Sequence, residues 1–151
     1  MPTVELATTF DAPITLVWEA ITDACAISQW CMHTDFVPEV GRKFQYLAKP
    51  NLFWRGYVDC QVLTIEKPNL LRFSWQSVAS HSPTVVTYRL EAVGTKTKFC
   101  VTHDGFDSTH GLFNGLFMRV MIDFGLKKEI LERLPKVLEH AKESDNGRKI
   151  V

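Results

Sequence analysis

Missing from this chain are any C-x-x-C pair, any excess of one charge and any apolar run of membrane length. The four cysteines, Cys25, Cys31, Cys60 and Cys100, are scattered. That spacing argues against a zinc ligand set or a disulfide framework and leaves free thiols in a reducing cytosol as the simplest reading. Lys plus Arg and Asp plus Glu number 17 each, so no net field draws the protein to nucleic acid or to an acidic membrane surface. Balanced charge points instead to small-molecule or protein partners. The longest apolar region, Leu112 to Leu126, is interrupted by Asn114, Arg119 and Asp123, and it stops short of the ~20 residues a membrane helix needs. The opening MPTVELATTF has neither a basic segment nor an apolar stretch of secretory length, so a cytoplasmic location is expected. No repeat, low-complexity tract or interior linker divides the 151 residues. A single domain is expected over residues 1–143, with 144–151, SDNGRKIV, as a loose tail.

What is present is a change of period along the chain. TVELATTF alternates, with Val4, Leu6 and Phe10 on one side, as a half-buried strand does. In DAPITLVWEAIT, Pro13 stands at a helix start, and Leu16, Val17, Ala20 and Ile21 have helical spacing. DACAISQW predicts a second short helix with Asp23 as its N-cap. From Gly41 to His103 the period is two, punctuated by turn compositions, and five more strands fit. Beyond them, Phe113, Leu116, Phe117, Val120, Met121 and Phe124 form one helical stripe. Ile130, Leu131, Leu134, Val137 and Leu138 carry it to about Ala141, with a kink or break expected at Pro135. Glu129 and Arg133, at i, i+4, are assigned to the solvated side of this helix. Together these elements make an α+β fold: a curved antiparallel sheet of about six to seven strands under a long C-terminal helix.

Charge assigns the outward face of the sheet, and alternation then fixes the inward one. It reads Phe44, Tyr46 and Ala48; Trp54, Gly56, Val58 and Cys60; Leu71, Phe73 and Trp75; Val86, Tyr88 and Leu90; Phe99, Val101 and His103. Buried phenol, indole and imidazole groups require hydrogen-bond partners. Two readings fit this face: an ordinary dry core, or the lining of a ligand cavity in which a few polar groups orient an apolar guest. Trp30 is either a structural anchor or a residue at the cavity mouth, and Phe117 and Met121 would line the cavity from the last helix.

The stretch CVTHDGFDSTHG gathers His103, Asp104, Asp107 and His110. Asp104-Gly105 is turn chemistry, and Asp107 and Ser108 suit a helix cap. The two histidines straddle a turn, which is not a metal-binding spacing. His103 alone keeps three readings: a satisfied structural histidine, a ligand anchor, or a weak catalytic candidate as acid or base. His33 and Asp35 form a second polar pair in a loop, where solvation is the favoured role.

The stretches DAPITLVWEAITD, PEVGRKFQY, GYVDCQVLTIEKPNLLRFSW and TVVTYRLEAVGTKTKFCVTHDGF, with Trp30 and the terminal amphipathic helix, resemble the START-like (SRPBCC) superfamily. The resemblance is to its Aha-type branch, the activators of the heat-shock protein 90 ATPase. It implies a helix-grip fold with a hydrophobic cavity between sheet and last helix, in a superfamily that includes lipid carriers, polyketide cyclases and co-chaperones. The leading expectation is a non-catalytic protein that binds a lipid or aromatic metabolite. Its expected lining is Trp30, Phe44, Tyr46, Trp54, Val58, Phe73, Trp75, Tyr88, Phe99, Val101, His103, Phe117 and Met121. Behind it stand an interaction module that stimulates a chaperone, and a cyclase or dehydratase using His103. No cofactor and no metal are expected. A homodimer is allowed, although no exposed strand or heptad demands one.

Overall fold

Alternation builds the sheet, and one long crossover decides its order. The computed structural model describes residues 3–50, 52, 55–77, 82–105 and 124–150, with side chains as far as residue 144. Strand β1 (Val4–Phe10) buries Val4 and Phe10 and exposes Glu5, Ala7 and Thr9. Helices α1 (Ile14–Thr22) and α2 (Ala24–Trp30) follow. Asp23 caps α2 as expected, its carboxylate accepting from the Ala26 N–H at 3.0 Å. The pair buries Val17, Trp18, Ile21, Ile27 and Trp30.

Six further strands are β2 (His33–Thr34), β3 (Lys43–Leu47), β4 (Tyr57–Glu66), β5 (Leu70–Gln76), β6 (Thr84–Val93) and β7 (Lys96–Asp104). They form one antiparallel sheet in the order β1-β7-β6-β5-β4-β3-β2. The two helices therefore carry the chain from one edge of the sheet to the other, and β1 closes against the final strand. The Thr97 hydroxyl donates to the Ala12 carbonyl at 2.7 Å, tying β7 to the turn before α1. In β4 the register slips between Val62 and Thr64, which leaves Leu63 as the extra residue of a bulge and bends the sheet. Gly56, at φ 91°, leads into β4 so close to β3 that a Cβ would lie 2.9 Å from the Ala48 carbonyl. Only glycine meets both conditions without strain.

The last helix is not uniform. Residues 124–127 are α-helical, Lys128–Arg133 is a π segment, and α3 (Leu134–Ile150) follows. The Leu134 N–H bonds to the Glu129 carbonyl, one residue further back than in an α-helix. Pro135 supplies the reason: it lacks an N–H, and its ring would clash with the carbonyl four residues earlier, a conflict that a wider turn relieves. Counting in α spacing from Phe124 would bury Phe124 and Leu131. Instead Phe124 is 65% exposed and Leu131 45%, while Ile130, Leu134 and Leu138 are buried. This corrects the expected placement of Phe124 and Leu131, which lie on the outer side of the helix. Ile130, Leu134 and Leu138 join the sheet's inner face in one core, and Lys142 donates to the Asp11 carbonyl at 2.8 Å. This is the helix-grip α+β arrangement. Among the described residues, no helix is long and apolar enough to cross a membrane.

Candidate functional site

The inner face is continuous. Phe44 meets Tyr46 at 5.5 Å between ring centroids, Tyr46 meets Phe73 at 6.0 Å and Trp75 at 5.6 Å, and Phe73 meets Tyr88 at 5.5 Å. Tyr88 then reaches Phe99 at 5.3 Å, and Trp75 stands edge-on to His103 at 5.6 Å. Val58 and Val101 are buried within this layer. Nine residues expected to line a site, Val58 and Val101 among them, thus lie on one face because period two puts them there. Trp54, Phe117 and Met121 lie outside the described residues, as do Asp107 and His110. Trp30 belongs to the same core, but its indole N–H donates to the Ala20 carbonyl at 2.9 Å, so it pins α2 to α1.

His103 is buried and held. The Thr84 hydroxyl donates its single hydrogen to the Trp75 carbonyl at 3.1 Å. The same hydroxyl lies 2.5 Å from the His103 Nε2, a hydrogen bond whose donor follows from the ring's tautomer. A base acting through Nε2 would have to break this chain. Asp104 does not assist, because it is still part of β7, and adjacent strand residues face opposite sides of the sheet. His33 is exposed on β2, and the Asp35 carboxylate accepts from the Gln45 backbone N–H at 2.8 Å.

One polar group on this face lacks a match. Among the described residues the Trp75 Nε1–H is buried with no hydrogen-bond partner, although its neighbours Tyr46 and His103 both carry polar atoms. An orphaned buried donor costs about 1–3 kcal/mol, so it calls for an explanation.

The residue that periodicity misplaced is Glu129. Its carboxyl accepts a hydrogen bond from the Cys31 thiol at the end of α2 and acts electrostatically on Tyr46 and Tyr88. Burial pushes this carboxyl up to about 7; the Cys31 hydrogen bond and the Arg133 charge hold it back only in part. Burial likewise raises the Cys31 thiol well above its ordinary value, and the Glu129 charge raises it further, so Cys31 is not a ready thiolate. Tyr46 and Tyr88 stay neutral phenols for the same first reason, burial. The one sequence signal for Glu129 was Pro135, six residues on, which forces the wider turn.

The opposite face of the sheet has a shallow, open groove of about 550 Å³ bordered by Asp35, Lys43, Gln45, Asp59, Gln61, Ser74 and Gln76. Its polar groups largely satisfy one another. Arg55 donates to Asp59 at 3.3 Å and to the Gln76 carbonyl at 2.8 Å, and the Gln45 amide donates to Asp59 at 2.8 Å.

Comparison with known proteins agrees with this geometry. The family model described as Activator of Hsp90 ATPase homolog 1-like protein matches residues 11–139. Protein MLL2253 from Mesorhizobium loti is 26% identical, with a TM-score of 0.76 over 92% of this chain and 98% of that one. Protein BH1534 from Bacillus halodurans is also 26% identical, with a TM-score of 0.72 over 91% of this chain and 97% of that one. DynU16, from the dynemicin biosynthetic locus, shares the fold at 21% identity and a TM-score of 0.71, over 91% of this chain and 47% of that one. No curated protein matches the chain.

Proposed function

The chain belongs to the Activator of Hsp90 ATPase homolog 1-like family, and from that premise we propose that it binds a hydrophobic or aromatic small molecule against the inner face of its sheet, without catalysing a reaction. The observation that carries this reading is the unpartnered Trp75 N–H within an aromatic layer. A core built only for stability has no use for an indole donor there, since phenylalanine would fill the space without an orphaned group. A guest with an acceptor atom would complete it, with Tyr46, Tyr88 and His103 as further handles and the apolar rings supplying contact area. The neighbouring Trp30 N–H is already satisfied and serves as an internal control.

The test is nitrogen-15 NMR of the indole N–H signals during titration with a panel of fatty acids and aromatic metabolites. A bound guest moves the Trp75 signal and leaves that of Trp30 in place. If every compound in the panel leaves the Trp75 signal unmoved, the reading fails.

The family description favours a second reading, in which the domain engages a chaperone. That reading uses the exterior, where Val40, Leu47 and Leu52 are exposed. Affinity capture of a chaperone that is lost on replacing these residues by serine would support it, and recovery of no stoichiometric partner would remove it.

A further inference from the structure

The bonds inside the outer-face groove fix its side chains without using them up. Its floor is two rows of outward residues that cross β3, β4 and β5: Lys43, Gln61 and Ser74 in one, and Gln45, Asp59 and Gln76 in the next. Neighbouring strands set these groups about 4.8 Å apart across the floor. Asp35, which follows β2, and Pro83, which precedes β6, border it at its two flanks. Gln45, Asp59, Gln61 and Ser74 are half-buried, so the floor is recessed. The Gln61 amide donates to the Gly41 carbonyl at 3.1 Å, and the Gln45 amide to Asp59 at 2.8 Å. Each amide keeps a second N–H and a carbonyl oxygen to offer, and among the described residues nothing takes them. The Ser74 hydroxyl and the Lys43 ammonium likewise bond to no described residue.

We propose that this groove is a second binding site, separate from the inner face, and that it takes a neutral saccharide. Its volume of about 550 Å³ is that of a small-molecule site. Its charges argue against an ion as guest. Lys43 and Arg55 are matched by Asp35 and Asp59, and Arg55 is already held by Asp59 at 3.3 Å and by the Gln76 carbonyl at 2.8 Å. An anion would lie near Asp35 and Asp59, and a cation near Lys43, so either gains an opposite charge only beside a like one. An apolar guest would take water from the amides and the Ser74 hydroxyl and return nothing, which costs binding. A hydroxyl both donates and accepts, so a ring of hydroxyls answers the amide N–H groups, the amide oxygens and Ser74 together. Pro83 gives the C–H face of such a ring an apolar surface. Because Gln45 and Gln61 are already held by bonds within the protein, the guest does not have to order them.

Nitrogen-15 NMR of the full chain, titrated with glucose, maltose, sucrose and trehalose at millimolar concentrations, tests the site. At least one of these sugars shifts the side-chain amide signals of Gln45 and Gln61 and the backbone signal of Ser74 in a saturable way, and leaves the Trp75 indole signal unmoved. Gln61→Ala and Ser74→Ala each weaken that binding roughly fivefold, the share of one hydrogen bond. Glu91→Ala, on the same outer face but outside the groove, changes it by less than about twofold. Glucosamine and glucuronate, charged relatives of glucose, bind no tighter than the best of the neutral sugars. Groove signals that stay still with all four sugars overturn the site, and so does an affinity that survives both groove variants. Tighter binding of glucosamine or glucuronate overturns the neutral class. The Trp75 signal reports on the inner face separately, so these outcomes leave the reading proposed for that face standing.

Discussion

Replacing Glu129 by glutamine tests the buried carboxyl through stability alone, without any ligand. Burial raises the Glu129 carboxyl from an ordinary 4.5 to about 7. At about 1.4 kcal/mol for each tenfold change in proton affinity, this corresponds to about 3 kcal/mol, an upper value because the residue is only half-buried. The folded chain holds this proton more tightly than the unfolded one. Its contribution to stability is therefore complete below pH 4.5, declines as the unfolded chain ionises, and is lost once pH has risen through about 7. Glutamine keeps the shape and cannot ionise. The difference in unfolding free energy, variant minus wild type, should thus climb in favour of Glu129→Gln by up to about 3 kcal/mol between about pH 5 and pH 8. Urea unfolding of both proteins across that range measures it, and other carboxylates cancel in the difference. Parallel profiles would mean that the Glu129 carboxyl sits in water, and the reasoning from the π segment to a dry acid would fall.

Thr84→Val removes the hydroxyl that joins His103 to the Trp75 carbonyl, and urea unfolding should show a loss of about 1–3 kcal/mol from the buried hydrogen bonds removed. Gly56→Ala forces a left-handed φ on a residue with a Cβ that has no space, and should cost about 1–3 kcal/mol in the same assay. Thiol labelling of the native protein with a disulfide reagent should modify exposed Cys25 first, while Cys31 and Cys60, both raised by burial, react only on unfolding. Rapid native labelling of Cys31 would contradict its contact with Glu129.

The strands and the identity of the inner face were legible because a sheet buried on one side repeats every two residues. Lys43, Gln45 and Asp59 mark one side as surely as Phe44, Tyr46 and Val58 mark the other. The cap at Asp23 was legible too, since a carboxylate one residue before a helical run has a single local use. Glu129 was not. A helical period assumes constant turns, and the π segment at Lys128–Arg133 breaks that assumption around Glu129. The pairing of Glu129 with Cys31 joins positions nearly a hundred residues apart, and no local pattern can encode it. Nor could alternation foresee that Thr84, rather than Asp104, would hold His103.

The place of β1 at the far edge of the sheet has a consequence for how the chain folds. Its partner is β7, so Val4 must find His103 and Phe10 must find Thr97. A nascent chain therefore carries a strand with no mate until the sixth of the later strands has emerged, and such distant pairings form slowly. Until then β1 is an unprotected ribbon, open to pairing with another molecule. Dilution or a holding chaperone during synthesis should matter more to this protein's yield than any single contact in the finished fold.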